Sequence, residues 1–291
     1  MTSAGDYDAT VTELCERALV TVIGNAGFWG RHLYLVGGLV PRYLVAPGSS
    51  AAPAHVGSRD VDLAVVLAVD SAAAGGYETL EKNLRDSGFR QAPGEGDPEF
   101  RWRREIDGQS LVLEFLCDTD EVPSGRNFKP RSGSGSRFQA FNVPGVHCVH
   151  ADHRLVEIEA ERLDAGGRSK VTVRVAGLMT FATLKIRAFV DRHHEKDVYD
   201  LVYTLLNHPD GPSGAGRAMA SSAVANDPFV VGSIAILRER FADARNDAPA
   251  AYATFMGLTN DPEAAARLRN EAVETVRLTL EAFDGARQSS P

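Results

Sequence analysis

The sequence predicts an α/β (α+β) fold: a mixed sheet with flanking helices, followed by a mostly α-helical C-terminal region. Three observations predict it. Short apolar runs of strand length alternate with helical patterns through the first part of the chain. An Asp107-Gly108 pair, the strongest short-range hairpin signal, separates two of those runs. From Gly177 onward the apolar residues recur at helical intervals. The expected division is a core domain over 1–176 and a helical domain over 177–291.

The elements follow in order. A first helix carries Val11, Leu14, Ala18 and Val22 on one face. The run Leu33-Tyr34-Leu35-Val36 ends in Gly37-Gly38, and Leu39 to Val45 can start a helix with Pro41 in its first turn. Strand, Gly-Gly and helix start suit a phosphate, because glycine permits close approach and a helix terminus presents free N–H groups. The next strand opens at Gly57-Ser58-Arg59-Asp60-Val61-Asp62 and runs to Leu67. Strand side chains alternate between faces, so Asp60 and Asp62 project from one face with backbones about 6 to 7 Å apart. Such a pair repels itself unless a cation intervenes. Magnesium takes carboxylate oxygens and shares its remaining positions with substrate phosphates, so Asp60 and Asp62 read as metal ligands. The alternative is a solvated pair where a loop enters a strand.

A helix is expected from about Tyr77 to Ser87, then the hairpin at Asp107-Gly108. Its second strand, Ser110 to Cys117, is apolar except for Glu114. An ionised carboxylate there is costly unless metal-bound or paired, and Arg101 or Arg103 could pair it. Asp118 and Asp120 share its strand parity and are fallback ligands. A further hairpin joins Leu155–Leu163 to Lys170–Val175 around Gly166-Gly167. Beyond it Leu178, Phe181, Ala182, Ile186 and Phe189 mark a helix that also contains Lys185. A Lys on a mostly buried helix needs an anionic partner, which a triphosphate or a salt bridge to Asp197 would supply. From Asp197 the stripe Val198, Leu201, Val202, Leu205, Leu206 leaves Asp197, Asp200 and Thr204 on the other side, and Asp197 also fits a first-turn acid favourable to the helix dipole. Breaks are expected at Pro209–Pro212 and Asn246–Pro249, with a last polar helix near Asp261 to Phe283.

The Gly-Gly elbow, the Asp-Val-Asp strand and the acid at Glu114 together resemble the nucleotidyltransferase superfamily. The stretch Leu184 to Leu201, with Lys185, Ala188, Arg192 and Lys196-Asp197-Val198-Tyr199-Asp200-Leu201, is similar to a motif of the AbiEii-like abortive-infection nucleotidyltransferase toxins. The two blocks and the strands between them cover most of residues 30 to 206. No Ser follows Gly38, and the spacer to Asp60, including Ala46–Pro53, is longer than usual for the pattern. The resemblance implies a nucleotidyltransferase fold, with Asp60, Asp62 and Glu114 holding Mg2+ in a two-metal site. It also implies Gly37, Gly38, Ser58 and Arg59 around the phosphates of a nucleoside triphosphate (NTP), with Lys185 and Asp197 completing the site. The acceptor that the resemblance implies is RNA, in particular the 3′ end of tRNA, with growth arrest as the outcome and a separately encoded antitoxin as partner.

Composition limits the classes. At 291 residues the chain can bury a substantial core, and a net charge of −8 argues against a surface that coats nucleic acid nonspecifically. An RNA partner then needs a local basic patch, and Arg126, Lys129, Arg131 and Arg137 supply one in a Gly/Ser-rich stretch that also reads as a solvated loop. Three scattered cysteines argue against a disulfide framework. The acids near Met1 are unlike a signal peptide and no apolar run approaches membrane length, so a cytoplasmic location is expected. The segment His147 to His153 reads as strand and turn with surface histidines, not as zinc ligands, because no second ligand cluster follows at a recognised spacing. Two other classes fit the same machinery: a small-molecule nucleotidyltransferase of the aminoglycoside-modifying kind, and a catalytically silent nucleotide-binding module.

Overall fold

The computed structural model describes residues 3–45, 54–65, 74–91, 99–130, 136–257 and 261–288. In chain order its elements are α1 (Ala9–Asn25), β1 (Leu33–Val36), α2 (Pro41–Leu44), β2 (Asp60–Val65), α3 (Ala74–Asp86), β3 (Arg90–Gln91), β4 (Arg101–Ile106), β5 (Gln109–Cys117), β6 (Asn127–Phe128), β7 (Ala140–Asn142), β8 (His153–Glu161) and β9 (Arg168–Ala176). Helices α4 (Leu178–Arg192), α5 (Glu195–Leu206), α6 (Gly211–Ala220), α7 (Pro228–Arg240), α8 (Asp247–Phe255) and α9 (Pro262–Gln288) complete it. The result is a mixed sheet with flanking helices and a helical C-terminal region.

Packing divides the chain into two units. The sheet unit comprises Ala9–Leu39 and Ser58–Ala176. The helical unit comprises Gly177–Pro291 together with Met1–Asp8 and Val40–Gly57. One division falls between Ala176 and Gly177, the position the sequence pattern suggests. Residues 1–8 and 40–57, expected in the core domain, group instead with the helices. For the described residues of 40–57 the reason is local: α2 packs on α5, and the Val56 N–H donates to the Tyr199 hydroxyl at 3.2 Å.

In the sheet unit the described strands run β3-β4-β5-β2-β1-β9-β8, with β7 beside β5 and β6 beside β7. β2 is parallel to β5 and antiparallel to β1, while β1 is parallel to β9. Alternation decides the faces. Leu35, Val61, Leu63, Leu113, Phe115 and Val175 fall on one face and are buried there, at about 1.5–3 kcal/mol for each large side chain. Helix α1, with Leu14, Ala18, Leu19 and Val22 buried, contacts β2, β5, β8 and β9. Between β4 and β5, Ile106 faces Gln109 across a two-residue turn in which Asp107 (φ 50°) and Gly108 (φ 77°) both adopt the left-handed conformation that such a tight hairpin requires. Residues His147 to His153, expected as strand and turn, form a 3-10 turn over Val146–His150 before β8 begins.

In the helical unit α5 is buried on both sides: Asp197, Asp200 and Thr204 are as inaccessible as the apolar stripe. Both expected breaks separate helices, α5 from α6 and α7 from α8, and Pro212 and Pro249 fall in the first turns of the helices that follow, where a proline costs no helical hydrogen bond. Among the described residues no helix is long and apolar enough to cross a membrane.

Candidate active site

The expected metal ligands lie in the sheet unit on the face opposite the apolar core. Asp60 and Asp62 are both half-buried on β2, with Val61 and Leu63 pointing the other way into the core. Parallel pairing sets Asp62 beside Glu114 of β5, and antiparallel pairing sets Glu114 beside Arg101 of β4. Arg101, Glu114 and Asp62 therefore form one row across three strands. The next row holds Arg103, Val112 and Asp60.

Each acid has a distinct support. The Ser58 hydroxyl donates to Asp60 Oδ1 at 2.8 Å. Ser58 is itself held from α1: its N–H donates to Thr12 Oγ1 at 3.2 Å, and the Cys15 thiol lies 3.7 Å from its carbonyl. The hydroxyl expected to meet a phosphate thus serves to orient Asp60, and Arg59 beside it is exposed. Burial and then the charges of Asp60 and Asp62 push the Cys15 thiol up to about 12, so it stays protonated beside the acids.

Asp62 is fixed by close approach. Gly37 has φ 73°, and a Cβ built on it would sit 1.7 Å from Asp62 Oδ2. Only glycine fits there, so the Gly-Gly elbow and the Asp-Val-Asp strand, 25 positions apart at Gly37 and Asp62, meet as one construction. Gly38 is buried. Glu114 differs, because its Oε1 accepts from Arg101 Nε at 2.6 Å. This is the pairing a structural glutamate would make, and it lowers the charge repulsion along the row.

The donor set of Asp60 and Asp62 fits a hard divalent cation: carboxylate oxygens only, two from one strand face, with the backbone cradle of Gly37 pressed against one of them. Glu114 stands beside Asp62 in the same row with one oxygen on the Arg101 guanidinium. Asp118 closes a loop instead, accepting from Gly145 N at 2.7 Å and approaching His147 Nδ1 at 2.5 Å. Asp120 is exposed.

In the helical unit Lys185 and Asp197 belong to a closed ion cluster. Lys185 Nζ lies 3.0 Å from Asp197 Oδ1 and 2.7 Å from Asp200 Oδ2. Arg192 donates to both oxygens of Asp197 at 2.7 and 2.8 Å, and Lys196 reaches Asp200 at 2.8 Å. The ring of His55 accepts from Gly57 N at Nδ1, so its Nε2–H donates to Asp200 at 2.9 Å. Burial pushes His55 down, and the bond to Asp200 offsets this in part. Burial would raise Asp197 and Asp200, but Lys185 together with Arg192 or Lys196 outweighs it and holds both below the usual carboxylate range. Burial would lower Lys185, and the two aspartates reverse that. The ammonium is neutralised inside its own unit. His55 carries no local sequence signal for this role; Asp200 does, three residues after Asp197 and four after Lys196 on one helix.

Of the basic loop, Arg126, Lys129 and Arg137 are exposed, and Arg131 lies outside the described residues. Lys129 and Arg137 line a cleft of about 510 Å³ with Arg85 and Arg90, two arginines that the sequence pattern does not single out. No protein-family model matches the chain, and no curated protein matches it at a significant level.

Proposed function

We propose that the protein is a magnesium-dependent nucleotidyltransferase that moves a nucleoside monophosphate from an NTP to an acceptor hydroxyl. The observation that carries this reading is the pairing of Asp60 and Asp62 on one strand face with Gly37 pressed so closely on Asp62 that no side chain fits between them. A carboxylate pair held against a glycine backbone is costly as mere architecture and apt for a cation that also meets phosphate.

In the proposed reaction the acceptor oxygen bonds to the α-phosphorus, the α–β phosphoanhydride breaks, pyrophosphate leaves and the hydroxyl proton is released to solvent. Bound Mg2+ supplies charge neutralisation of the phosphates and activation of the attacking oxygen. Asp60 and Asp62 hold that charge in place, Ser58 fixes the Asp60 carboxylate, and Gly37, by lacking a Cβ, leaves room for that of Asp62. Arg101 holds Glu114 and lends positive charge to the row. We rest the chemistry on Asp60 and Asp62 and leave Lys185 and Asp197 to the architecture of the helical unit. The acceptor we propose is RNA, with the 3′ end of tRNA first; toxin activity and an antitoxin partner rest on the resemblance of the Leu184–Leu201 stretch alone.

The test is transfer of label from each of four α-labelled triphosphates to total tRNA, with wild type and Asp60→Asn. The expected result is magnesium-dependent label on tRNA that falls by at least about 100-fold in Asp60→Asn with folding unchanged, a loss typical of removing one electrostatic contributor. Label on an aminoglycoside panel instead would move the protein to the small-molecule class. Absence of triphosphate binding in magnesium would overturn the enzyme reading.

A further inference from the structure

The sheet unit has a second polar concavity. Arg85 at the end of α3, Arg90 on β3, Lys129 and Arg137 surround the cleft of about 510 Å³, and among the described residues that line it Glu99 is the one acid. Four positive charges against one negative in the described lining repel one another across the cleft. Two of them are already engaged. Glu81 accepts from Arg85, and the Glu81 carboxylate also accepts from Ser136 Oγ at 3.0 Å and Arg137 N at 2.8 Å. Arg90 donates to the carbonyls of Arg85 and Phe89. These bonds fix the cleft wall. Among the described residues Lys129 and the Arg137 guanidinium have no anionic partner. Gln91 and Gln139 brace the opposite side, donating to the carbonyls of Glu99 and Arg137 and to the Glu99 carboxylate.

Strand register connects this cleft to the acids. Arg90 pairs with Arg103, Arg103 with Val112, and Val112 with Asp60. One row thus runs from the cleft to the carboxylate pair across three strand spacings, about 14 Å. The second arginine of β4, Arg101, stands one pair further along, beside Glu114. Arg90 and Arg103, with Arg101 paired to Glu114 beside them, lie between the edge of the sheet and the two aspartates, over a distance that a few nucleotides span.

We propose that the cleft formed by Arg85, Arg90, Lys129 and Arg137 binds the phosphodiester backbone of a single-stranded nucleic acid, with its end directed along Arg103 and Arg101 toward Asp60 and Asp62. Guanidinium and ammonium groups around an open groove match successive phosphates, and the amide-braced wall gives the groove a fixed shape. That the bound strand is the acceptor rests on the transferase reading; the binding itself does not.

The experiment measures fluorescence anisotropy of a labelled oligouridylate of about a dozen nucleotides, a length within single-strand site sizes, at several salt concentrations. It uses the Asp60→Asn protein in chelator, so that binding is read without turnover. The expected result is binding whose affinity falls by about tenfold or more in Lys129→Glu/Arg137→Glu, with the salt slope reduced by about 1.4 for two lost phosphate contacts. Both residues are exposed, so the fold is retained, and Lys129→Gln/Arg137→Gln gives a milder loss in the same direction. A charge-matched control, Arg168→Glu/Lys170→Glu on the exposed β8–β9 hairpin, is expected to bind as the parent does. Equal losses in the control, no effect of the cleft pair, or no oligonucleotide binding at all would each overturn the proposal. So would displacement by inorganic pyrophosphate at matched phosphate concentration, which would make free phosphate the ligand. Oligonucleotide binding lost in the cleft pair, together with absent nucleotidyl transfer by wild type, would sink the enzyme reading and leave the site standing.

Discussion

At Gly37 two demands fall on one residue. Its φ of 73° is costly for any side chain, and its missing Cβ is the space that Asp62 Oδ2 occupies. Gly37→Ala is therefore expected to displace the Asp62 carboxylate and to cost about 1–3 kcal/mol, the range for a strained backbone combined with a local shift. The check is paired: thermal denaturation for stability, and triphosphate binding in magnesium by calorimetry. Retained folding with binding lost is the expected outcome. Tight binding by a well-folded Gly37→Ala protein would show that the close approach serves packing alone. Asp60 differs because its support is a hydroxyl, not a steric gap. Ser58 donates to it from a residue only 2 % exposed, which leaves that hydroxyl little access to a ligand.

Among the elements, those with a local signature were legible in the sequence and those made by long-range register were not. Asp107-Gly108 names its hairpin because both left-handed positions are written in two adjacent residues. The alternation of Val61 and Leu63 with Asp60 and Asp62 likewise names the two faces of β2. Glu114 has no such local answer. Metal and arginine both fit its pattern, and only the register of β4 on β5 brings Arg101 to it. Helix α5 was legible in part: the pattern offers Asp197 as a salt-bridge partner for Lys185, but only the fold brings Lys185 to Asp200 as well and seats His55 against it. That cluster makes its own prediction. Asp200→Asn leaves Lys185, Lys196 and His55 short of one buried negative charge, and is expected to cost about 3–5 kcal/mol. Lys185→Met is expected to cost a similar amount. Because the two groups share one interaction, the double variant should be more stable than the sum of the singles implies, by about 0.5–3 kcal/mol in a thermodynamic cycle. Strict additivity in chemical denaturation would show that the pair contributes nothing as a pair.

For the whole molecule, what matters most is that the helical unit is assembled from separated stretches of chain. Residues 40–57 leave the sheet unit after Leu39 and return at Ser58. Those two points lie close together, because β1 and β2 are antiparallel neighbours with Val36 opposite Asp62. The paired strands thus close the loop that carries α2 and His55. Closing a loop of that length without the sheet would carry its full entropy cost, which grows with the logarithm of the residues enclosed. Pairing of β1 with β2 bears that cost, so the bonds of His55 and Val56 to Asp200 and Tyr199 do not carry it again. A domain interrupted in this way leaves no signature in composition, which is why a single boundary at residue 176 is the natural sequence reading. It does have a consequence for stability. Both tryptophans, Trp29 and Trp102, are buried in the sheet unit, whereas α4 to α9 all belong to the helical unit. Tryptophan fluorescence and far-ultraviolet ellipticity therefore report mainly on different units. If the loop couples them as argued, the two signals follow one curve in urea, the standard sign of a shared cooperative transition. In Asp200→Asn both midpoints then fall together, although Asp200 lies in the helical unit alone. A fluorescence transition that stays at its wild-type midpoint while the ellipticity transition moves would show that the sheet unit unfolds independently and that closure of residues 40–57 does not link the two.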